Sequence, residues 1–247
     1  MRVLLGFGAA WCGWRGGGRR DDHRDDCWLC SGSPGFSLTR TGGPLLGAEE
    51  PAPVFMVETS LVEVERRIDD GEFRCMRDGT RLWRWGWSTR RKVRGVGWLR
   101  PRRLCCPVCG ASHVLLPTSC LLRRADGVEV IGRGLELAAR GAGHRKVAAC
   151  LGCAASTVAR WLRRARSNAA GVAVVVAGRV RLLDPLAPEP QVAANAIGAI
   201  VAFASALVAA FRVRFAMVQV APWAPMSLVT AGMLLSPVLP GTMTNTT

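Results

Sequence analysis

The segment that decides the fold of this chain is residues 144–163, which read HRKVAACLGCAASTVARWLR. Gly152 lies in the middle of this segment and can adopt the left-handed conformation that ends a helix. Ala148 is small enough to let two helices cross closely. The segment therefore predicts a helix-turn-helix. Its helices are expected over 144–151 and 154–166, after an apolar helix over 127–140.

The second helix of this motif carries an apolar face and a basic face. Its apolar side chains recur at helical spacing and are Val158, Trp161 and Leu162. In a helix-turn-helix, the start of the second helix enters the major groove of DNA. The residues placed for base edges are Ala155, Ser156, Thr157 and Arg160. The residues placed for phosphates are Arg145, Lys146, Arg163, Arg164 and Arg166. Because a guanidinium contacts guanine through two hydrogen bonds, we expect Arg160 to read a guanine. The alternative is an ordinary helical hairpin with a solvated basic face.

The charge of the chain favours a polyanionic partner. The sequence has 33 Lys and Arg residues against 18 Asp and Glu, and its formal net charge is +15. Residues 141–166 contain six basic side chains and no acidic one. A folded basic segment is typical of nucleic-acid binding, so double-stranded DNA is the expected partner.

The distribution of carboxylates argues against catalysis. Only Asp184 and Glu189 remain beyond Glu136. The C-terminal third therefore cannot supply the three carboxylates that a two-metal nuclease needs. The sequence also lacks the common catalytic and nucleotide-binding motifs. These observations predict a protein that is not an enzyme.

Two cysteine turns predict a metal site. Cys106-Pro-Val-Cys109-Gly110 is a tight turn that directs two thiolates at one ion. An upstream turn, Cys75-Met-Arg-Asp78-Gly79, has the same spacing but carries a carboxylate where a thiol is expected. Asp is a harder and usually weaker zinc ligand than Cys. The favoured interpretation is Zn²⁺ bound by Cys75, Asp78, Cys106 and Cys109. Two alternatives stay open: Cys105 or His113 completes the shell, or a metal-free ribbon is held by a small Trp-rich core.

These motifs resemble a known family. The segment from Cys75 to Leu116 is similar to the zinc-ribbon-like domain of an uncharacterised family from GC-rich bacteria. The matching features are the two cysteine turns, Trp85-Gly86-Trp87, Arg-Pro-Arg-Arg at 100–103 and His-Val-Leu-Leu-Pro at 113–117. The segment from Gly143 to Arg164 is similar to the helix-turn-helix of that family. Such proteins resemble the DNA-binding front half of insertion-sequence transposases. The resemblance implies transposon-associated DNA binding and no established activity. Asp78 departs from the family pattern, which has Cys.

Composition divides the chain into four segments. Residues 1–55 are rich in Gly, Arg, Asp, Ser and Pro, and are interpreted as a disordered or mis-annotated N-terminal extension that ends before Met56. The expected domains are a zinc-ribbon-like domain at 57–122, a helix-turn-helix domain at 126–167 and an apolar helical tail at 190–236. The fold class is therefore α+β, a small β domain followed by an all-α domain. A short helix is expected over 59–70 and strands over 73–116.

The C-terminal tail leaves two interpretations open. Residues 192–211 are uncharged and long enough to span a membrane. They are rich in Ala and include Asn195 and Ser205, so a buried helix of a soluble bundle is favoured. A final apolar helix is expected over 226–235, and such a tail could mediate homodimerisation.

The function that these features predict is sequence-specific DNA binding in the cytoplasm, by a transcriptional regulator or a transposon-associated protein. The alternatives are a catalytically inactive transposase or recombinase relic, and a DNA-binding regulator anchored in a membrane by residues 192–211.

Overall fold

The computed structural model describes residues 54–190, 195–216 and 219–236, which form a β domain followed by a helical domain. The prediction for 1–53 lies outside the described residues. The first strand begins at Val54, two residues before Met56. Val54 and Phe55 therefore belong to the β domain, because their backbones pair with Val114 and Leu115.

The β domain consists of a four-stranded sheet, a separate hairpin and one helix. Its strands in chain order are β1 (Val54–Val57), β2 (Trp83–Trp87), β3 (Arg91–Val93), β4 (Gly97–Leu99), β5 (Arg102–Cys105) and β6 (Ser112–Pro117). The sheet has the order β1-β6-β5-β2, and β3 and β4 form the hairpin. β1 runs parallel to β6, while the other pairs are antiparallel.

Helix α1 (Leu61–Asp69) supplies much of the core of this domain. Ser60 caps it, because its hydroxyl accepts a hydrogen bond from the Glu63 amide. Val64 and Ile68 are buried against Phe73, Leu82, Leu104 and Leu115. The core is not Trp-rich: Trp83 and Trp85 are 64% and 55% exposed on the edge strand β2. The alternative of a Trp-rich core is therefore not supported. A bulge between Arg84 and Gly86 breaks the regular alternation of faces in that strand.

The helical domain contains α2 (Val128–Ala139), α3 (His144–Leu151), α4 (Ala155–Leu183), α5 (Ala196–Phe215) and α6 (Ala224–Val229). Helix α4 does not end at 166, as predicted, but continues to Leu183. Two features explain the extension. Val172, Val176 and Val180 are buried at intervals of four residues, so the apolar face continues. The Asn168 amide also donates to Leu234 O at 3.0 Å and Ser236 O at 2.7 Å.

The C-terminal region is part of the same core as the helix-turn-helix. Helix α5 packs mainly on α4 and also contacts α2 and α6. The Trp223 ring lies against Gly132 of α2, and its indole N–H donates to Glu136 Oε1 at 2.8 Å. The final helix, predicted over 226–235, ends at Val229 and is followed by turns whose apolar side chains are buried.

Helix α5 contains the segment for which a membrane span was considered. By length and composition it could cross a membrane, since its mean hydropathy is 2.1 over an 18-residue window. The core helix of a soluble protein meets the same criteria. Its inner face, which includes Ile197, Ile200 and Leu207, is buried in the helical core.

Candidate functional site

Helices α2, α3 and α4 form a compact unit around one close crossing. A Cβ atom placed on Gly134 of α2 would lie 3.2 Å from Leu151 Cδ1 and 3.5 Å from Val147 Cγ1. The absence of a side chain at Gly134 therefore allows α2 to approach α3. Trp161 of α4 is 2% exposed and fills the space between the helices. The sequence pattern identified Trp161, but it gave no reason to single out Gly134.

The turn between α3 and α4 has the geometry that the sequence predicted. Gly152 has a φ of 60°, in the left-handed region. The following amide, of Cys153, donates to Ala148 O at 3.0 Å, which satisfies a carbonyl at the end of α3. From the β domain, Arg94 donates to Gly152 O at 2.7 Å. The turn is therefore held from both sides.

The predicted DNA-contacting residues lie on α3 and the first turns of α4. The exposed ones are Arg145, Lys146, Ala155, Ser156, Arg160, Arg163 and Arg166. Thr157 and Arg164 are half-buried. Thr157 lines a cleft between α4 and the β domain, so its side chain is only partly accessible to solvent.

The two cysteine turns come together at one end of the β domain. One donor atom from each of Cys75, Asp78, Cys106 and Cys109 lies within 4.8 Å of the other three. The sulfurs of Cys75 and Cys109 are 3.6 Å apart, and Cys106 Sγ lies 3.2 Å from Asp78 Oδ2. Tetrahedral ligands bound at about 2.3 Å stand about 3.8 Å from one another, so this cluster can hold a metal ion.

The turns have nearly the same backbone geometry. Cys75 N donates to Thr80 O at 2.7 Å, and Cys106 N donates to Ala111 O at 2.9 Å. Gly79 and Gly110 end the turns with φ of 72° and 70°. The carboxylate at Asp78 thus occupies the place that Cys109 occupies in the other turn.

The protonation of the cluster follows from its hydrogen bonds. The Thr80 backbone amide and side chain, followed by the Cys106 thiol, hold the pKa of Asp78 well below its usual range. A backbone hydrogen bond at Ala111 lowers the pKa of Cys109. Desolvation and the neighbouring Cys75, Cys106 and Asp78 outweigh it and raise that pKa to about 11. Without a metal, the cluster therefore holds a carboxylate beside neutral Cys109, and a bound cation would favour its thiolate.

The two alternative ligands lie outside this group. Cys105 Sγ is close to the carbonyl oxygens of Cys106 and Gly110, at 3.5 and 3.7 Å. His113 is fully buried, and its ring lies 5.5 Å from that of Phe55. Burial is the main cause that lowers the pKa of His113, followed by the charge of Arg77. Among the described residues, the four-membered cluster is completed by Asp78.

Comparison with known proteins identifies one part of the chain. Residues 131–173 match the family model of a homeodomain-like domain. The match begins in α2, includes α3 and the turn, and ends within α4. A comparison with curated proteins found no match. A comparison with solved structures found no match either. Residues 131–173 are therefore a homeodomain-like helix-turn-helix domain, a unit typical of DNA-binding proteins.

Proposed function

We propose that this chain is a sequence-specific DNA-binding protein of the cytoplasm, acting as a transcriptional regulator or in association with a transposon. It binds duplex DNA by placing the start of α4 in the major groove and has no catalytic activity of its own. The observation that carries the proposal is the exposed Arg160 on the second helix of a homeodomain-like domain. Arg160 lies on the part of α4 that approaches base edges in such motifs.

The residues around Arg160 divide by reach and chemistry. Ala155 and Ser156 are exposed on the first turn of α4, where base edges are within reach. Arg145, Lys146 and Arg163 are longer exposed cations and are assigned to phosphates. Phosphate contacts position the protein, whereas base contacts give sequence preference.

We also propose that Cys75, Asp78, Cys106 and Cys109 bind Zn²⁺. Support comes from three sulfurs and one carboxylate that converge on one point, in two turns of matching geometry. Zinc accepts this donor set, and its role here is structural, because four protein ligands leave no open position for a substrate. Metal analysis of the purified full-length chain tests this, with an expected content of about one zinc per molecule.

The DNA-binding proposal is tested by selection of random duplex DNA on the full-length protein. We expect a defined sequence motif to be enriched. If bound sequences stay random while binding remains sensitive to salt, the positive charge acts without sequence preference, and the proposal of specific recognition fails.

Three matched arginine variants assign the contacts. Arg160→Ala is expected to cost about 1–3 kcal/mol of binding free energy and to relax preference at one base pair. Arg163→Ala is expected to weaken all sequences equally, because phosphates carry no base identity. Arg212→Ala, at an exposed position on α5, is the control and should leave binding unchanged. If Arg160→Ala preserves both affinity and selectivity, Arg160 does not read a base.

A further inference from the structure

A basic cleft lies between the β domain and the start of α4. Its volume is about 690 Å³, and Trp161 forms part of its wall. Strand β3 and the residues after it contribute one side, the loop 123–126 a second, and the first turns of α4 a third. Five basic residues line the cleft: Lys92, Arg94, Arg123, Arg124 and Arg160. Four of the five, all except Arg160, lie outside the helix-turn-helix and its preceding helix.

The lining of the cleft contains more basic than acidic side chains. Asp126 is the one acidic side chain among the described lining residues. It is buried and forms an ion pair with Arg94, with 3.3 Å between Arg94 Nε and Asp126 Oδ1. Arg94 also donates to Gly152 O, so this arginine joins the wall to the helix-turn-helix. Four further cationic side chains face the same space.

Positive charges are crowded at the base of the cleft. Arg124 is half-buried, and its Nε atom is buried without a hydrogen-bond partner among the described residues. Burial lowers the pKa of Arg124, and the charges of Arg164 and Arg160 lower it further, against the opposing effect of Asp126. Its Nη2 atom donates to Leu235 O, which fixes the guanidinium in place. A preorganised cluster of this kind favours a bound anion.

The position of the cleft indicates which anion it takes. Arg160 and Thr157 belong both to its lining and to the helix that approaches DNA. When that helix lies in the major groove, the phosphates that flank the groove are the nearest anions. Arg and Lys side chains and hydroxyl groups are the usual phosphate donors in such complexes.

We propose that this cleft holds a backbone phosphate of the DNA duplex bound by α4, with Lys92 and Arg123 as phosphate contacts from outside the homeodomain-like domain. The inference rests on the proposed function. It makes the β domain part of the DNA interface. It also assigns Thr157 to a phosphate, where the sequence had assigned it to a base edge.

Charge-neutralising variants in the full-length protein test this assignment. Lys92→Gln and Arg123→Gln are each expected to weaken every duplex by the same factor, and to reduce the slope of log affinity against log salt by about 1. Arg212→Gln, on α5, is the matched control and should bind as the wild type does. Lys92→Arg keeps the charge and should restore the slope. Thermal unfolding of each variant establishes that the fold is retained.

Ethylation of individual phosphates locates the contact on the DNA. For the wild type, ethylation of one phosphate beside the recognised sequence should block binding. The same modification should have no effect on the already weakened Lys92→Gln variant.

The outcomes separate the two proposals. If the wild type binds no duplex, the DNA-binding proposal itself fails. If the wild type binds DNA, but Lys92→Gln and Arg123→Gln keep its affinity and salt slope, the phosphate assignment is wrong and DNA binding stands. A last experiment compares the thermal stability of the protein in inorganic phosphate and in chloride at equal ionic strength. Stabilisation by free phosphate that Lys92→Gln removes, with unchanged DNA affinity, would identify a free-anion site and overturn the assignment.

Discussion

The β domain and the helical domain differ in how much apolar side chain each buries. Among the described residues, the main β cluster has nine buried members, and two of them, Cys75 and Cys106, belong to the four-residue cluster that could hold a metal ion. The helical cluster has 26, drawn from every segment between Leu121 and Leu235. Small cores rarely supply enough stability alone and are often supplemented by a metal. The helical domain therefore has a large buried core, whereas the β domain has a small core beside a four-residue cluster that could hold a metal ion.

If the cluster binds zinc as proposed, removing the metal is expected to have the largest effect, and to affect the β domain alone. A structural zinc contributes on the order of 10 kcal/mol to the folding of small zinc domains. A chelator, or Cys106→Ser, should therefore abolish amide-exchange protection over residues 54–117 while protection over 128–183 remains. The matched control is Cys150→Ser, at an exposed thiol outside the cluster. Unchanged exchange of 54–117 in the chelated protein would contradict a metal-dependent β domain.

Two tryptophan variants compare packing in the domains. Trp161 is 2% exposed in the helical core, so Trp161→Ala should lower the free energy of unfolding by about 3–5 kcal/mol. Trp83, on the edge strand of the β domain, is 64% exposed. Trp83→Ala should therefore change the free energy of unfolding by less than about 0.5 kcal/mol. Denaturant unfolding measures both. Similar losses for the two variants would show that the edge tryptophan is packed in solution.

Two glycine variants test how closely α2 and α4 are packed in the helical core. A Cβ on Gly132 would lie 2.2 Å from the Trp223 ring, so Gly132→Ala should displace that ring and cost about 1–3 kcal/mol. A Cβ on Gly178 of α4 meets no atom within 4 Å. Gly178→Ala should therefore stabilise the protein by about 0.5–1 kcal/mol through helix propensity. Thermal unfolding should give shifts of opposite sign, and equal shifts would place Trp223 away from α2.

The smallest expected effects come from one helix cap in each domain. Asn195 Oδ1 accepts from the Gly198 amide at 2.8 Å at the start of α5, and Ser60 Oγ accepts from the Glu63 amide at 3.4 Å at the start of α1. Asn195→Ala should cost about 1 kcal/mol. Ser60→Ala should cost less, because its hydrogen bond is longer. Amide exchange of each first turn measures both, and a larger loss at α1 would reverse the expected order.

The features that could be predicted from the sequence are those set by residues close to one another in the chain. The helix-turn-helix follows from Ala148, Gly152 and the spacing of Val158 to Leu162, all within one short segment. The donor cluster was also predictable, because two turns of equal spacing define which atoms point inward. Which of Asp78, Cys105 and His113 lies beside the sulfurs of Cys75, Cys106 and Cys109 needed the fold, since all three lie close to the turns in sequence.

The remaining features depend on contacts between distant residues. Ser167-Asn168 looks like a helix end until the Asn168 side chain is seen to bond the carbonyls of Leu234 and Ser236. The parallel pairing of β1 with β6 joins strands 60 residues apart, as in Val54 with Val114. The basic cleft brings Lys92, Arg123 and Arg160 together only in the folded chain. None of these pairings leaves a periodic signal in the sequence.

The bonds from Asn168 to the C-terminal segment set the order in which the protein can be completed during synthesis. Leu234 follows Asn168 by 66 residues. At roughly 5–20 residues per second, α4 is synthesised about 3–13 s before the segment that buries its middle. During that interval the apolar face of α4 is exposed. A nascent chain that stalls or ends before Leu234 would therefore carry a complete helix-turn-helix sequence on an unfinished core, and would be a substrate for chaperones and proteases.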